Sequence, residues 1–569
     1  MPETLDEIIT SYREKLNLDS EDGNLIFAIN QAIEDSKNLK NEMDKIGKRN
    51  KLYWKKGTEV DLDRIHPKKS KAVANRIFVD IETAIPIITS ETPEASVIGN
   101  YDNALKEKLY QALSIAFEVK YKMQQKLQAL IRNWFLFRVG VLKYRWDINK
   151  RFITENVLPK KIGFDNRATS RENCEFVFEQ LEDNLNNIID KFPKAKQKII
   201  DKFGKEKLKS KVKYIEFWGG YGEWVCWKFQ DIILDKRKNP NWDYDNEDNN
   251  IFDKPEIPYL FFNVFNLGDE TGLYDDNSLI EQAIPLQEQA NKLEQQIADL
   301  NEGQKRVWVL SLSIPANIRQ ELINKTGDLA VTSDNPSQVV QVQSGKPDAS
   351  LFNHLSHILG EIDNTIGIHS TTRGERSQQE TLGGRQLLMG SDYGRLDLIV
   401  RNVEQIIEEW YLAYLHCLKV YSDGSEILSN QQLTIELRKE EIPNNVIVMV
   451  KKGSTLPVDK RTKMQQAIQL AQFNMIDPAT LFQELGISNE DKRTKDLYAW
   501  LQLTGKIVPQ QPPMPQGSQS DALQGQEGQQ LQKLQQLLSS PQFQQLPSEE
   551  QQALVQRGRG IVENIKNQK

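Results

Sequence analysis

The residues best suited to act on a ligand stand in the polar run GIHSTTRGERSQQETL, which opens at Gly367. Arg373 and Arg376 carry guanidinium groups, which pair with phosphate oxygens without reading a base sequence. Glu375 blunts that charge, so two uses stay open. One is contact with a nucleic-acid backbone; the other is pairing of Arg376 with Glu375, with Glu380 or with a neighbouring subunit. His354, His357 and Glu361 fall on one helix face and have the donor types of a zinc site. They lack a fourth ligand and an HExxH spacing, so a polar outer or channel face is the better reading and no metal is assigned. The aromatic run 217–227 offers surfaces on which bases stack, though a sheet core with edge aromatics is the simpler account. The basic runs 68–71 and 205–213 read as solvated faces, with contact to DNA or another anionic surface as the other option.

Motifs for bond chemistry are missing from the sequence. GSTLPVDKRT lacks the GxxxxGK(S/T) spacing of a phosphate-cradling loop, and no GxSxG or Cys–His arrangement stands out. Five histidines are a thin supply of general bases. Asp275 and Asp276 precede a helical pattern, where the helix dipole favours negative charge. The chain reads as a non-enzyme without cofactors. Its net charge of −7, from 73 basic and 80 acidic residues, is unlike that of a protein that grips DNA tightly. It suits most cytosolic proteins. Cys174, Cys226 and Cys417 lie far apart with no CxxC pair, so a reducing compartment is the default. MPETLDEIITSYREKLN is charged and helix-like, unlike a signal peptide, and no apolar run approaches the ~20 residues that span a bilayer.

The chain's 569 residues exceed one core, so several layers are expected, of α+β class. Residues 1–50 read as amphipathic helix and 72–89 as a helix whose end is announced by Pro86 and Pro93. One long helix is expected over 104–137, a strand over 141–147, a strand at 174–178 and a helix over 184–203. Two β-prone runs around Gly219, Gly220 and Gly222 read as a hairpin over 212–234. Ser278 and Glu281 have capping-box spacing, and Leu279, Ala283, Leu286, Ala290, Leu293, Ile297 and Leu300 then form a heptad seam. A helix over 278–302 would be ~37 Å long, with Pro285 bending its first turns. Strands at 306–313, 328–333 and 338–343 surround a short helix at 315–324. A second seam follows at Phe352, Leu355, Leu359, Ile362 and Ile366.

Ser377 with Glu380 predicts a helix start near Gln378, and apolar residues recur helically at Leu396, Val400, Val403, Ile407, Trp410, Tyr414 and Leu418. Gly383, Gly384, Gly390 and Gly394 interrupt its first half, each costing roughly 1 kcal/mol against alanine, so a bend or a close approach is expected there. Strand-like pieces at 433–437 and 446–450 and a helical region over 462–503 come next. From 506 a Pro/Gln/Gly linker leads to residues 531–551, where helices can form.

Four passages, in order, resemble the portal proteins of tailed bacteriophages. NRIFVDIETAIPIITSETPEASV (75–97) is similar to that family's N-terminal helix and the turn after it. PYLFFNVFNLGDETGLYDDNSLIEQAIPLQEQANKLEQQI (258–297) resembles the approach to the first stem helix. GIHSTTRGERSQQETLGGRQLL with RLDLIVRNVE resembles the segment after the second stem helix, and KKGSTLPVDKRTKMQQAIQLAQFNMIDPATLFQELG (451–486) the return segment. The resemblance implies a subunit with an N-terminal helical segment (1–50), a mixed wing (51–277), stem helices (278–302 and 348–366) and a small αβ clip (303–347). It also implies a tunnel loop (367–377), a long kinked helix (378–421), a wing return and crown base (422–505), and a helical barrel or disordered crown (506–569).

By the same resemblance, His369, Thr371, Thr372, Arg373, Glu375 and Arg376 would line a DNA channel. Leu286, Leu293, Ile297, Leu300, Phe352, Leu355, Leu359 and Ile362 would pack the stems of neighbouring subunits side by side around the ring, and Trp308, Arg319, Lys325 and Asp334 would meet motor and adaptor. The implied partners are about a dozen copies of the chain in a ring, double-stranded DNA, the terminase motor, the head-to-tail adaptor and the major capsid protein, at the capsid portal vertex of the virion. Two rivals belong to other classes. A metal-dependent nuclease needs a compact carboxylate cluster at motif spacing, and a coiled-coil scaffold or minor capsid protein needs longer seams without a β-rich insertion.

Overall fold

Leu396, Val400, Val403, Ile407, Trp410, Tyr414 and Leu418 line the buried face of one helix, and an α+β body is laid around that face. The computed structural model describes residues 12–450 apart from 63–69, 91–92, 94, 100, 148–150, 205–208, 269–271, 304–306, 312, 319, 322–328, 334–347, 369–381, 423 and 431–432, together with 467–471, 481 and 497–498. The chain divides into two units, Met1–Pro457 and Val458–Lys569, and the description below concerns the first.

Helices α1 (Asp22–Asp35), α2 (Lys37–Lys56) and α3 (Arg76–Ile88) precede strand β1 (Ala95–Ile98). Helices α4 (Asn103–Ile115) and α5 (Met123–Phe137) lead to β2 (Gly140–Asp147), β3 (Arg151–Val157), β4 (Ile162–Phe164) and β5 (Val177–Asn184). Two short helices, α6 (Leu185–Lys191) and α7 (Lys196–Phe203), separate these from β6 (Lys211–Gly219), β7 (Trp224–Phe229), β8 (Ile232–Lys238) and β9 (Tyr259–Phe262). Helices α8 (Leu279–Gly303) and α9 (Ala349–Ile366) flank β10 (Val307–Ser311) and β11 (Leu329–Ser333). The 40-residue α10 (Leu382–Tyr421) is followed by β12 (Ser425–Ser429), β13 (Thr434–Arg438) and β14 (Ile447–Val450).

Strands β4 to β8 form a five-stranded antiparallel sheet in sequence order, and β3, β2 and β9 form a second antiparallel sheet. Alternation along β6 divides its side chains between two layers. Phe217 packs with α1 through Leu25, Ala28 and Ile29, whereas Tyr214 and Trp218 face α6 and the second sheet. Strand β2 is covered on both sides: Leu142 and Tyr144 join the core around α10, and Val141 joins the core of the five-stranded sheet. Strand β1 pairs antiparallel with β14, from Ala95 opposite Val450 to Ile98 opposite Ile447, which ties the segment after α3 to the segment after α10.

Several expectations are corrected. The single helix expected over 104–137 is two, because a π-helical turn at Ala116–Lys120 and Lys122 at φ +47° break it. The widened turn brings Phe117 onto Trp410 and Tyr411, and Lys120 onto Glu426, contacts that an uninterrupted helix would rotate away. The expected helix over 184–203 splits at Pro193, which has no N–H to give to a helix ladder. The hairpin over 212–234 is a three-strand meander, with β8 added after β7. The strand expected at 174–178 starts at Val177 and runs to Asn184. Helix α3 starts four residues later than expected and continues through Pro86 to Ile88. Among the described residues, the expectations at 433–437 and 446–450 match β13 and β14, while much of 462–503 and all of 506–569 lie outside them.

Polar atoms on the buried face of α10 are matched one by one. The Trp410 indole donates to Thr154 Oγ1 at 2.8 Å, and the Tyr414 hydroxyl to Glu426 at 3.1 Å. His416 bridges to the loop before β9: its Nδ1 accepts from the Ile251 amide at 3.1 Å, and its Nε2–H donates to the Asn241 carbonyl at 2.7 Å. That pattern requires neutral imidazole, and burial pushes the pKa down from 6.5 to about 4. Unfolded chains take up this proton near pH 6.5 and folded ones only near 4, so the contribution is whole above 6.5 and shrinks as pH falls. Urea melts from pH 7 to 4 should show wild type losing stability relative to His416→Gln by up to about 1.4 kcal/mol per pH unit. Parallel curves would exclude the neutral clamp.

Candidate functional site: the helix pair and its anchorage

Helices α8 and α9 are rooted in the body and lean on each other beyond it. Ile280, Ala283 and Ile284 of α8, with Ile362 and Ile366 of α9, belong to the core around α10. Farther along, Ala290, Leu293 and Ile297 pack with Leu355 and Ile358 in a separate apolar cluster that, among the described residues, contains only these two helices. Between them come β10 and β11, which pair in parallel and therefore need a crossover connection.

The root of α8 is held by charge and caps. Ser278 Oγ accepts from the Ile280 amide at 3.2 Å and donates to the Phe135 carbonyl at 2.9 Å. Glu281 does not close the expected capping box. Its carboxylate forms a two-point pair with Arg138 (Nε to Oε2 2.7 Å, Nη2 to Oε1 3.0 Å), because a fixed guanidinium fork beats one terminal amide as a partner. Asp275 accepts from the amides of Val264 and Phe265, at 2.8 and 2.7 Å, and from the Trp134 indole. Burial lifts its carboxyl from 3.8 to about 6 in spite of those donors.

A polar row on α8, four residues apart, then fastens the extended chain before α3. Asp299 accepts from the Ser70 amide at 2.7 Å, Gln295 donates to the Ala72 carbonyl at 3.4 Å, and Asn291 accepts from the Ala74 amide at 3.2 Å. Gln287 accepts from the Arg76 amide at 3.1 Å and donates to the Ala74 carbonyl. Asn291 also donates to the Gly57 carbonyl at 2.7 Å. Extended backbone has no partners of its own, and this row supplies them. Arg76, at the start of α3, grips Asp363 in the last turn of α9 with Nε at 2.7 Å and Nη2 at 2.9 Å. The row was missed by apolar periodicity, although Gln287, Asn291, Gln295 and Asp299 share one helix face by spacing alone.

Most residues expected to pack subunit against subunit lie between α8 and α9 of one chain. Leu293, Ile297, Leu355 and Ile362 are buried inside the chain, Leu286 and Leu359 are half-buried against them, and Leu300 is half-buried. Phe352 is 46% exposed, because the inner stripe of α9 runs through Leu355, Ile358 and Ile362 instead. Helix α8 continues through Pro285. Helix α10 continues through Gly383, Gly384, Gly390 and Gly394, and at Gly394 an added Cβ would meet nothing within 4 Å, so no close approach occurs there. His369, Thr371, Thr372, Arg373, Glu375 and Arg376 lie outside the described residues, as do Arg319, Lys325, Asp334 and the expected helix start at Gln378; Trp308 lies on β10. His354 and His357 are exposed, with His357 Nδ1 at 4.0 Å from Glu361. Among the described residues, no group of three or more His, Cys, Asp or Glu side chains is arranged to hold a metal ion, and no helix is long and apolar enough to cross a membrane.

No protein-family model matches the chain, and no curated protein sequence matches it.

Asp363→Ala removes the two-point partner of a mostly buried guanidinium and should cost on the order of 3 kcal/mol in urea unfolding. A loss below about 1 kcal/mol would reduce the pair to a surface contact. Asp275 has the opposite pH sign to His416. Its folded carboxyl holds a proton up to about pH 6 and its unfolded one only up to 3.8, so wild type gains stability relative to Asp275→Asn as pH falls from 6 toward 4, by up to about 1.4 kcal/mol per unit. Melts of the variant and wild type across that window test the sign.

Proposed function

We propose that the chain is a subunit of a tailed-bacteriophage portal: a ring at one capsid vertex that passes double-stranded DNA during packaging and ejection. The observation that carries this reading is the helix pair. Two helices leave and re-enter an α+β body, share an apolar cluster of their own beyond it, and are separated by a strand-bearing excursion. Helix α10 follows. In the proposed ring the pair is the stem, β10–β11 belongs to the clip that meets terminase and adaptor, and 367–377 is the loop toward the bore. No bond is made or broken by this chain; its work is to position DNA and partners. The four ordered sequence passages support the same reading.

Phe352 fits it as well, since a large apolar side chain on α9 turned away from α8 is available to a neighbouring copy. Light scattering and negative-stain averages of the purified chain should give closed rings of about a dozen copies with a central hole. Phe352→Asp should shift the material toward smaller species without lowering the melting temperature. A stable wild-type monomer or dimer at high concentration overturns the ring, and metal-dependent DNA cleavage by such a sample would turn the assignment to a nuclease.

A further inference from the structure

A cleft of about 920 Å³ opens between the five-stranded sheet and the sheet of β2, β3 and β9, away from the helix pair. Its volume lies in the range of small-ligand sites. At its floor Glu179 and Glu216 share one cation: Lys143 Nζ is 2.8 Å from the first and 2.7 Å from the second, and all three side chains are less than a tenth exposed. Glu216 also accepts the indole N–H groups of Trp218 at 2.8 Å and Trp227 at 3.1 Å. Burial works against its charge, but Lys143 and these donors hold its carboxyl below the usual range.

Charge at the rim is balanced. Arg145 faces Glu155 at 3.2 Å and Asp147 at 3.5 Å, Lys191 faces Asp183 at 2.7 Å, Arg237 faces Asp235 at 3.9 Å, and Arg151 lies 4.0 Å from Glu426, which Lys120 also meets. The floor therefore holds one carboxylate in excess, inside walls that screen it less than bulk water does. Those walls are aromatic, and the chain already sets cations over two rings there. The Arg237 guanidinium lies 4.8 Å from the centre of Trp227, and Lys143 Nζ 5.2 Å from that of Tyr259. Ring faces attract weakly hydrated cations, and an apolar stem gains from contact with the same walls.

We propose that this cleft binds an organic monocation, a guanidinium or primary alkylammonium group on an apolar stem, with its charged end toward Glu179 and Glu216. The group is supplied either by a free small molecule or by an Arg or Lys side chain of a protein segment. The inference is independent of the ring.

Calorimetric titration of the full chain separates the two sources. Butylamine and arginine amide probe the free cation, a capped Gly-Arg-Gly peptide probes the side chain, and butyramide is the neutral control. The cations should bind, more weakly as salt rises, and butyramide should not. A peptide at least about tenfold tighter than arginine amide identifies a protein segment as the source, and the reverse order a free molecule. Glu179→Gln, checked for an intact melt, should weaken binding at least about tenfold, whereas Arg237→Gln, which removes a rim cation and uncovers Trp227, should tighten it. Equal binding of butyramide, unchanged affinity in a folded Glu179→Gln, or no binding by any probe would overturn the proposal.

Discussion

Burial of the inner face of α10 is the constraint on which the rest of the body depends. That face carries Trp410, Tyr411 and Tyr414 as well as aliphatic residues, so enclosing it required aromatic neighbours of matching shape. Phe117, Tyr121 and Phe152 supply them from the π-helical turn and β3. It also required partners for the polar tips that aromatic residues bring inside. Glu426 on β12 takes the hydroxyls of both Tyr121 and Tyr414 and is itself paired with Lys120. The break between α4 and α5 is thus part of how α10 is enclosed: without it Phe117 would not face the helix, nor Lys120 meet Glu426.

The same helix links the two body sheets. Glu409 faces Arg171 at 3.3 Å, and that guanidinium reaches Glu256 at 2.8 Å and the Ile257 carbonyl at 3.0 Å, next to β9. His416 and Tyr421 hold the loop before β9 through the carbonyls of Asn241 and Pro240. Charged pairs this well covered add less to net stability than to the cost of any other arrangement, because an unpaired buried charge is the expensive state. They make the seating of α10 single-valued.

Anchorage of the pair follows a second rule. A long helix leaving a core has few apolar neighbours at its exit, so the pair is held by hydrogen bonds from α8 to extended backbone and by two Arg–carboxylate forks, Arg138–Glu281 on α8 and Arg76–Asp363 on α9. Directional bonds of this kind set the rotation of α8 about its axis, and that rotation decides which residues face α9. On α9 the inner stripe runs through Leu355, Ile358 and Ile362, which leaves Phe352 outward.

The periodic elements were legible in the sequence. All seven residues expected on the inner face of α10 are buried there, the helices expected at 278–302 and 348–366 occur within a few residues of those bounds, and the strands expected at 306–313 and 328–333 are present. Helical spacing of apolar residues survives folding because covering that stripe is what a helix gains from tertiary structure. Tertiary structure alone decided where a pattern is interrupted and what a polar residue is for. The π-helical turn after Ile115 answers to Trp410 and Glu426, some 300 residues away in the chain, an order-of-magnitude separation that no local window spans. Glu281 has the spacing of a cap, and only the approach of Arg138 makes it half of an ion pair. Glu179 and Glu216 look like ordinary alternating strand residues until β5, β6 and β2 bring them around a single lysine. Apolar burial depends on local spacing and so can be read from the chain; the pairing of charges depends on which strands and helices meet, and that is settled only when they do.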